Sequence, residues 1–256
     1  MIKIFSCIVL LFSVILAKPS LEVPKISNEA RSNFDIYSID LDNKDSSYEV
    51  QIAIPKNLQN PKVIFLLDGT SFFPRFINKY NSYIVVGIGH KGDVAFDRKR
   101  RTYDYLPQSN LQGSGGVYEF LSFIKDIVLP LSTKLIEDKI KTNIDSKILF
   151  GHSFGGIFTL YTLLEDSLLF DEYFIVSPSL WSEPKFGSLE IKECPKFVYY
   201  LWGGNEAKKT QESMPHINFA KDFALKNPKC NISYKEVANK NHGEMIEAGF
   251  FELNLY

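Results

Sequence analysis

The sequence predicts an α/β architecture: a largely parallel sheet with helices on both faces and an antiparallel hairpin at its N-terminal side. Three observations carry this. Short apolar runs without alternation recur along the chain, as expected of strands buried on both faces. Apolar residues at helical spacing fall between them. Near the N terminus, two alternating segments flank the polar tetrad Asp42-Asn43-Lys44-Asp45, which is a hairpin signature. No internal repeat, low-complexity tract or second linker breaks the pattern, so residues 18–256 are expected to form one domain.

The elements follow in order. Residues 18–33 are polar with two prolines and read as a lead-in. Phe34–Leu41 and Ser47–Pro55 alternate and make the hairpin. The buried-strand runs are Val63–Leu67, Tyr83–Ile88, Ile148–Phe150, Tyr173–Val176, Phe197–Trp202 and Ile232–Val237. Helical faces come from Tyr118 to Val128, from Ile157 to Leu164 and from Ile217 to Leu225, and Met245–Leu253 closes the chain as a helix. Gly89 to Gly116 lacks periodicity and is expected to be a long loop, a length that usually signals function.

Composition sets outer limits. The 256 residues are 45% hydrophobic and 23% charged, typical of a globular domain. Lys and Arg total 29 against 30 Asp and Glu, so no field exists to capture a nucleic-acid backbone. Three cysteines cannot build a disulfide scaffold or a four-thiolate zinc site. No metal-ligand cluster is visible, and no cofactor is expected.

At the start, Met1-Ile2-Lys3 precedes a largely apolar stretch of fourteen residues ending in Ala17, the shape of a secretory signal. The run is short for a membrane span, which needs about 20 residues. Cleavage after Ala17 is expected, an uncleaved anchor being the alternative. The mature chain would carry 28 basic and 30 acidic groups, with Cys7 lost alongside the signal. Cys194 and Cys230 each lie just before a strand, so parallel neighbours would bring them to one sheet edge and allow a disulfide in an oxidising compartment. Asn231-Ile232-Ser233 matches a glycosylation sequon but opens what reads as a central strand, a poor acceptor.

The chemistry centres on Gly151-His152-Ser153-Phe154-Gly155-Gly156. A Gly-x-Ser-x-Gly between a strand and a helix is the nucleophile elbow of the α/β-hydrolases. The turn leaves no room for side chains at the two glycines and raises the serine above the sheet, with a helix start behind it to favour negative charge. Ser153 is the candidate nucleophile, and His152 reads as scaffold. In this fold the order is serine, acid, histidine, with the histidine on a loop after the last strand. His242 fits as the base that takes and returns the Ser153 proton. The alternative, His216, falls near a helix start and reads as a surface position. Glu206 follows the strand Phe197–Trp202 and is the candidate acid, its plain alternative being a solvated loop carboxylate. Asp222 lies within a helix, and Glu244 is too close to His242 to orient the ring. The oxyanion hole is expected from the amide of Phe154 and that of Gly69 or Thr70, with Asp68 fixing the turn.

Leu66-Leu67-Asp68-Gly69, Arg100-Arg101-x-x-Asp104-Tyr105-x-Pro107, Gly151–Gly156, Ser177-Pro178-Ser179-Leu180-Trp181 and the His242 loop occur in one order. The series resembles the esterase D-like esterase family, and within it the periplasmic trilactone esterases of enterobactin-type siderophores, over about residues 30–256. The resemblance implies a periplasmic serine esterase that opens the serine-ester bonds of a cyclic catecholate trilactone, ferric or iron-free, to linear pieces. It implies reliance on Ser153 and His242, because the acid in such family members is poorly placed or missing. Where the family often has Thr before the proline, this chain has Leu106.

A ferric tris-catecholate is a trianion with aromatic rings, and any iron would arrive with it. Arg98, Lys99, Arg100 and Arg101, expected in the long loop over the active face, suit such a ligand; a solvated charge run is the plain alternative. Arg101 is the first choice as a substrate contact and Arg100 the second, with Trp181 lining the pocket. Other readings keep the mechanism with another acyl or carbohydrate ester or a thioester, or keep the scaffold as a non-catalytic binder. No nucleic-acid partner is expected, nor a membrane after signal cleavage.

Overall fold

The computed structural model describes residues 21–206 and 216–255, so the expected signal segment lies outside the described residues. A short helix, α1 (Asn28–Asn33), leads into the hairpin β1 (Phe34–Asn43) and β2 (Ser46–Pro55). Then come β3 (Lys62–Leu67), α2 (Gly69–Ile77), β4 (Ile84–His90), α3 (Arg98–Tyr105) and α4 (Val117–Phe123). One π-helical turn, Ile124–Val128, carries α4 into α5 (Leu129–Ile140). The second half alternates: β5 (Ser146–His152), α6 (Phe154–Glu165), β6 (Glu172–Val176), β7 (Phe197–Gly203), α7 (His216–Lys226), β8 (Ile232–Val237) and α8 (Met245–Asn254).

The strands form one sheet in the order β1-β2-β4-β3-β5-β6-β7-β8. β1 and β2 pair antiparallel, β2 pairs antiparallel with β4, and every pairing from β4 to β8 is parallel. Unbroken apolar runs serve this sheet because both faces are covered. Along β3, Val63, Phe65 and Leu67 pack on one face while Ile64 and Leu66 pack on the other. The first face takes Phe120, Ile136, Ile157 and Phe223 from α4, α5, α6 and α7. The opposite face takes Phe72 and Phe76 of α2 and Phe250 of α8. Parallel strands put all their C-terminal ends on one rim, and the functional side chains follow β3, β5, β6, β7 and β8 there.

The structure corrects three expectations. The stretch from Gly89 to Gly116 is not all loop, because it holds α3. Its sequence, Arg98-Lys99-Arg100-Arg101-Thr102-Tyr103-Asp104-Tyr105, has no apolar period, but Asp97 caps it by accepting from the Arg100 N–H at 3.0 Å. The four basic residues therefore stand on a helix. The turn after β3 is at once the start of α2. β8 is an edge strand rather than a central one, and Asn231 before it is exposed. Cys194 and Cys230, just ahead of the parallel pair β7 and β8, are joined in a disulfide with Cα atoms 5.1 Å apart.

Candidate active site

The elbow is built where β5 ends. Ser153 has φ 62° and ψ −118°, a backbone state outside the ordinary wells. A Cβ at Gly151 would lie 2.1 Å from the Gly155 carbonyl oxygen, which explains that glycine. Gly155 is a correction: a Cβ there meets nothing closer than 3.5 Å. The second steric demand falls on Gly156, whose Cβ would lie 2.9 Å from the Val176 oxygen and 3.0 Å from the Pro178 Cα. Close passage of the β6 end, rather than the turn itself, excludes a side chain there.

Three side chains converge. Ser153 Oγ lies 3.0 Å from His242 Nε2, and His242 Nδ1 lies 2.8 Å from Glu206 Oε2. A carboxylate only accepts, so Nδ1 carries the proton and Nε2 turns its lone pair to the serine. Glu206 is buried, not a solvated loop group. Its Oε1 accepts from the Gly203 N–H and from Ser177 Oγ, each at 2.6 Å. Burial alone would raise its pKa. Contacts with His216, His242 and Ser177 outweigh that and hold the carboxyl well below the usual range.

His216 is also corrected. It is buried, with Nδ1 2.9 Å from the Tyr200 hydroxyl and Nε2 3.7 Å from Glu206 Oε2. It stands behind the acid, far from a surface role. Asp222 is exposed on α7. Glu244 shapes the histidine loop, its Oε2 accepting from the Asn241 N–H at 2.9 Å while its own N–H donates to Asn241 Oδ1. His152 is scaffold of a specific kind. Its Nε2–H donates to the His242 carbonyl at 2.8 Å, and the two rings lie 4.6 Å apart. Burial, with His242 beside it, pushes the His152 pKa well down and keeps the ring neutral.

Phe154 is the first residue of α6 and Gly69 the first of α2, so their amides are among those a helix leaves without internal partners. Gly69 is required: a Cβ would lie 2.5 Å from the Gly87 carbonyl carbon. Asp68 before it has φ 55°, a left-handed state unusual for a non-glycine residue.

The basic residues are where the structure departs most from expectation. Arg101 is directed inward onto Asp68 rather than outward to a ligand, with side-chain exposures of 13% and 1%. Arg100 lies against Asp104 and Tyr48, with NH2 contacts of 2.6 and 2.8 Å, and its Nε is buried without a partner. Arg98 and Lys99 are exposed. Trp181 is 40% exposed, with its ring 5.8 Å from that of Phe154. Ser177 and Ser179 were missed as site residues, although their motif ends β6 beside the elbow. Among the described residues no His/Cys/Asp/Glu group has metal-binding geometry, and no helix is long and apolar enough to cross a membrane. A cavity of about 590 Å³ lined by Asn33, Asn60, Lys62, Asn81 and Asn254 opens at the other end of β3 and β4, away from Ser153.

The profile of the Esterase family, described as "Putative esterase", matches residues 43–222. The chain belongs to this family. Curated relatives include the siderophore enterobactin esterase of Emericella nidulans, 29% identical over 54% of this chain and 55% of that protein. The match thus spans about half that relative's length. The apo-salmochelin esterase of Escherichia coli O6:H1 is 23% identical over 96% of this chain and 87% of its own. Among solved structures, the siderophore hydrolase EstA from Aspergillus nidulans superposes with a TM-score of 0.71 at 20% identity, covering 87% of this chain and 94% of that one. The enterobactin and salmochelin hydrolase IroE gives 0.66 at 23%, covering 90% and 98%. Both have the α/β-hydrolase fold seen here.

Proposed function

We propose that this esterase-family chain is an exported, periplasmic serine esterase that hydrolyses the ester bonds of siderophores, and that catecholate trilactones of the enterobactin type are its substrates. One observation carries the mechanism: the Ser153 Oγ, His242 Nε2 and His242 Nδ1, Glu206 Oε2 contacts at 3.0 and 2.8 Å. Ser153 attacks the ester carbonyl while His242 takes its proton, and the amides of Phe154 and Gly69 receive the developing oxyanion. His242 returns the proton to the leaving serine alkoxide. Water then repeats the sequence on the acyl-enzyme.

The substrate reading is supported by relatives named as enterobactin and salmochelin esterases and by the rim. Exposed Arg98 and Lys99 offer charge, and Trp181 with Phe154 offers an aromatic wall. The test incubates the protein and its Ser153→Ala variant with ferric and iron-free enterobactin, following products by chromatography and mass. Serine-dependent linear trimer, dimer and monomer are the expected products. Cleavage of p-nitrophenyl esters alone would keep the chemistry and overturn the substrate, and binding without turnover would leave a scaffold binder.

A further inference from the structure

The segment after β6 touches both ends of the Ser153–His242–Glu206 series. Ser177, at φ 43°, donates to Glu206, as described above. Two residues on, Ser179 Oγ lies 2.9 Å from Ser153 Oγ, and the Ser179 N–H donates to the Ser153 carbonyl at 3.2 Å. Ser179 is 1% exposed, and its carbonyl accepts from Ser182 Oγ at 2.8 Å, so its backbone is held beside the nucleophile. We propose that Ser179 is a further catalytic residue, a hydroxyl donor to the nucleophile oxygen. This inference rests on the serine mechanism proposed above.

Proton accounting gives the direction of the bond. Glu206 fixes the His242 Nδ1 proton, so His242 Nε2 is an acceptor and Ser153 must donate to it. Ser153 Oγ then has lone pairs only for Ser179, and the Ser179 proton points to Ser153. During attack the Ser153 O–H bond breaks and its proton moves to His242 Nε2. The electron pair of Oγ forms the bond to the acyl carbon as the carbonyl π pair moves onto its oxygen. The return of that pair expels the leaving alkoxide, which takes the proton from His242. Ser179 keeps its own proton throughout. Charge on Oγ is greatest between proton loss and bond formation, so the Ser179 bond is strongest in the transition state and weaker in the free hydroxyl and the acyl ester. That difference is what accelerates the step.

The test is the second-order rate of fluorophosphonate labelling of the full chain, with the melting temperature beside it. Ser179→Ala removes the donor, and Ser179→Cys keeps a similar volume with a weak donor. Both are expected to label about 10- to 100-fold more slowly than wild type, the scale of a lost charge-assisted hydrogen bond. Ser179→Thr retains the hydroxyl and should recover most of the rate. A structural role would lower melting temperature without this donor ranking. Wild-type labelling rates in both Ser179→Ala and Ser179→Cys, with Ser153→Ala unlabelled, would overturn the inference. Labelling of Ser153→Ala would instead overturn the serine mechanism beneath it.

Discussion

Arg101 grips Asp68 with two parallel hydrogen bonds, Nε to Oδ1 at 2.6 Å and NH2 to Oδ2 at 2.9 Å. One helical turn later, the Tyr105 hydroxyl accepts the Asp68 N–H at 3.0 Å. Residues four apart on α3 thus hold one residue at the end of β3 from two sides. Burial works against the Arg101 charge, but Asp68 outweighs it and raises the pKa further. The guanidinium also lies 5.5 Å from the centre of the Phe154 ring. The Arg-Arg-x-x-Asp-Tyr motif therefore sets the geometry of the α2 start, where Gly69 offers its amide.

Removing that grip should cost both stability and turnover. Arg101→Ala leaves a buried Asp68 carboxylate without its partner, a loss of about 3–5 kcal/mol. Arg101→Lys keeps the charge without the planar fork. It is expected to lower kcat on a p-nitrophenyl ester with little change in KM, because the amide at Gly69 loses its aim. Arg98→Ala should leave both melting temperature and kcat unchanged. Urea titration and steady-state kinetics on the three variants check this, and a pure KM effect in Arg101→Lys would return that residue to substrate contact.

Glu206→Gln should fall in kcat by about 10²- to 10⁴-fold, since an amide can hold His242 in the wrong tautomer. The carboxylate's other bonds make the variant informative. Ser177 and Gly203 can still donate to the amide oxygen. Folding should survive, which circular dichroism alongside the kinetics would establish. A loss below tenfold would mean that Ser153 and His242 act as a pair and that the acid is only structural.

Acid should destabilise the protein in two stages with a definite sign. The His152 pKa lies well below its ordinary 6.5 in the folded state. Below that pH the unfolded chain binds more protons, so stability falls as pH drops from about 6.5. The Glu206 pKa is likewise depressed from 4.5, and its contribution is lost as pH falls from there towards the folded value. Urea unfolding between pH 8 and pH 4 reads both. His152→Gln keeps a donor for the His242 carbonyl but cannot charge, so the first loss should flatten. An unchanged slope in that variant would assign the loss elsewhere.

What was legible in the sequence depended on how local each signal is. Ser153 could be read because a strand, two glycines and a helix surround it within a dozen residues. His242 and Glu206 could be read because the fold fixes where they follow their strands. Arg101 was not, because its partner Asp68 is 33 residues upstream and nothing in a basic tetrad shows which way its members turn. His216 was misread for a similar reason. A helix start looks exposed in sequence, yet Tyr200 and Glu206 from the β7 side close over it. Helix α3 went unseen because its stability rests on Asp97 as a cap, on the Arg100–Asp104 pair within the helix and on the tertiary Arg101–Asp68 pair rather than on an apolar stripe. Ser179 was visible as a motif member, but its contact with Ser153 exists only once β5 and β6 are side by side.

The Cys194–Cys230 bridge should separate stability from catalysis. It ties the N-terminal ends of β7 and β8, whereas Glu206 and His242 follow their C-terminal ends. Its cysteines are 36 residues apart, so the chain-entropy account gives about 4 kcal/mol from constraint of the unfolded state. For a domain of this size that corresponds to a fall of roughly 8–16 °C in melting temperature. The Cys194→Ser/Cys230→Ser double variant, and wild type under reductant, should both show it, with kcat at 25 °C unchanged in the folded fraction. The β7–β8 ladder from Val198↔Ile232 to Gly203↔Val237 lies between bridge and site and keeps the spacing of the two loops by itself. A kcat that fell together with the melting temperature would mean that this ladder does not hold its register alone, and that the disulfide sets the distance between Glu206 and His242.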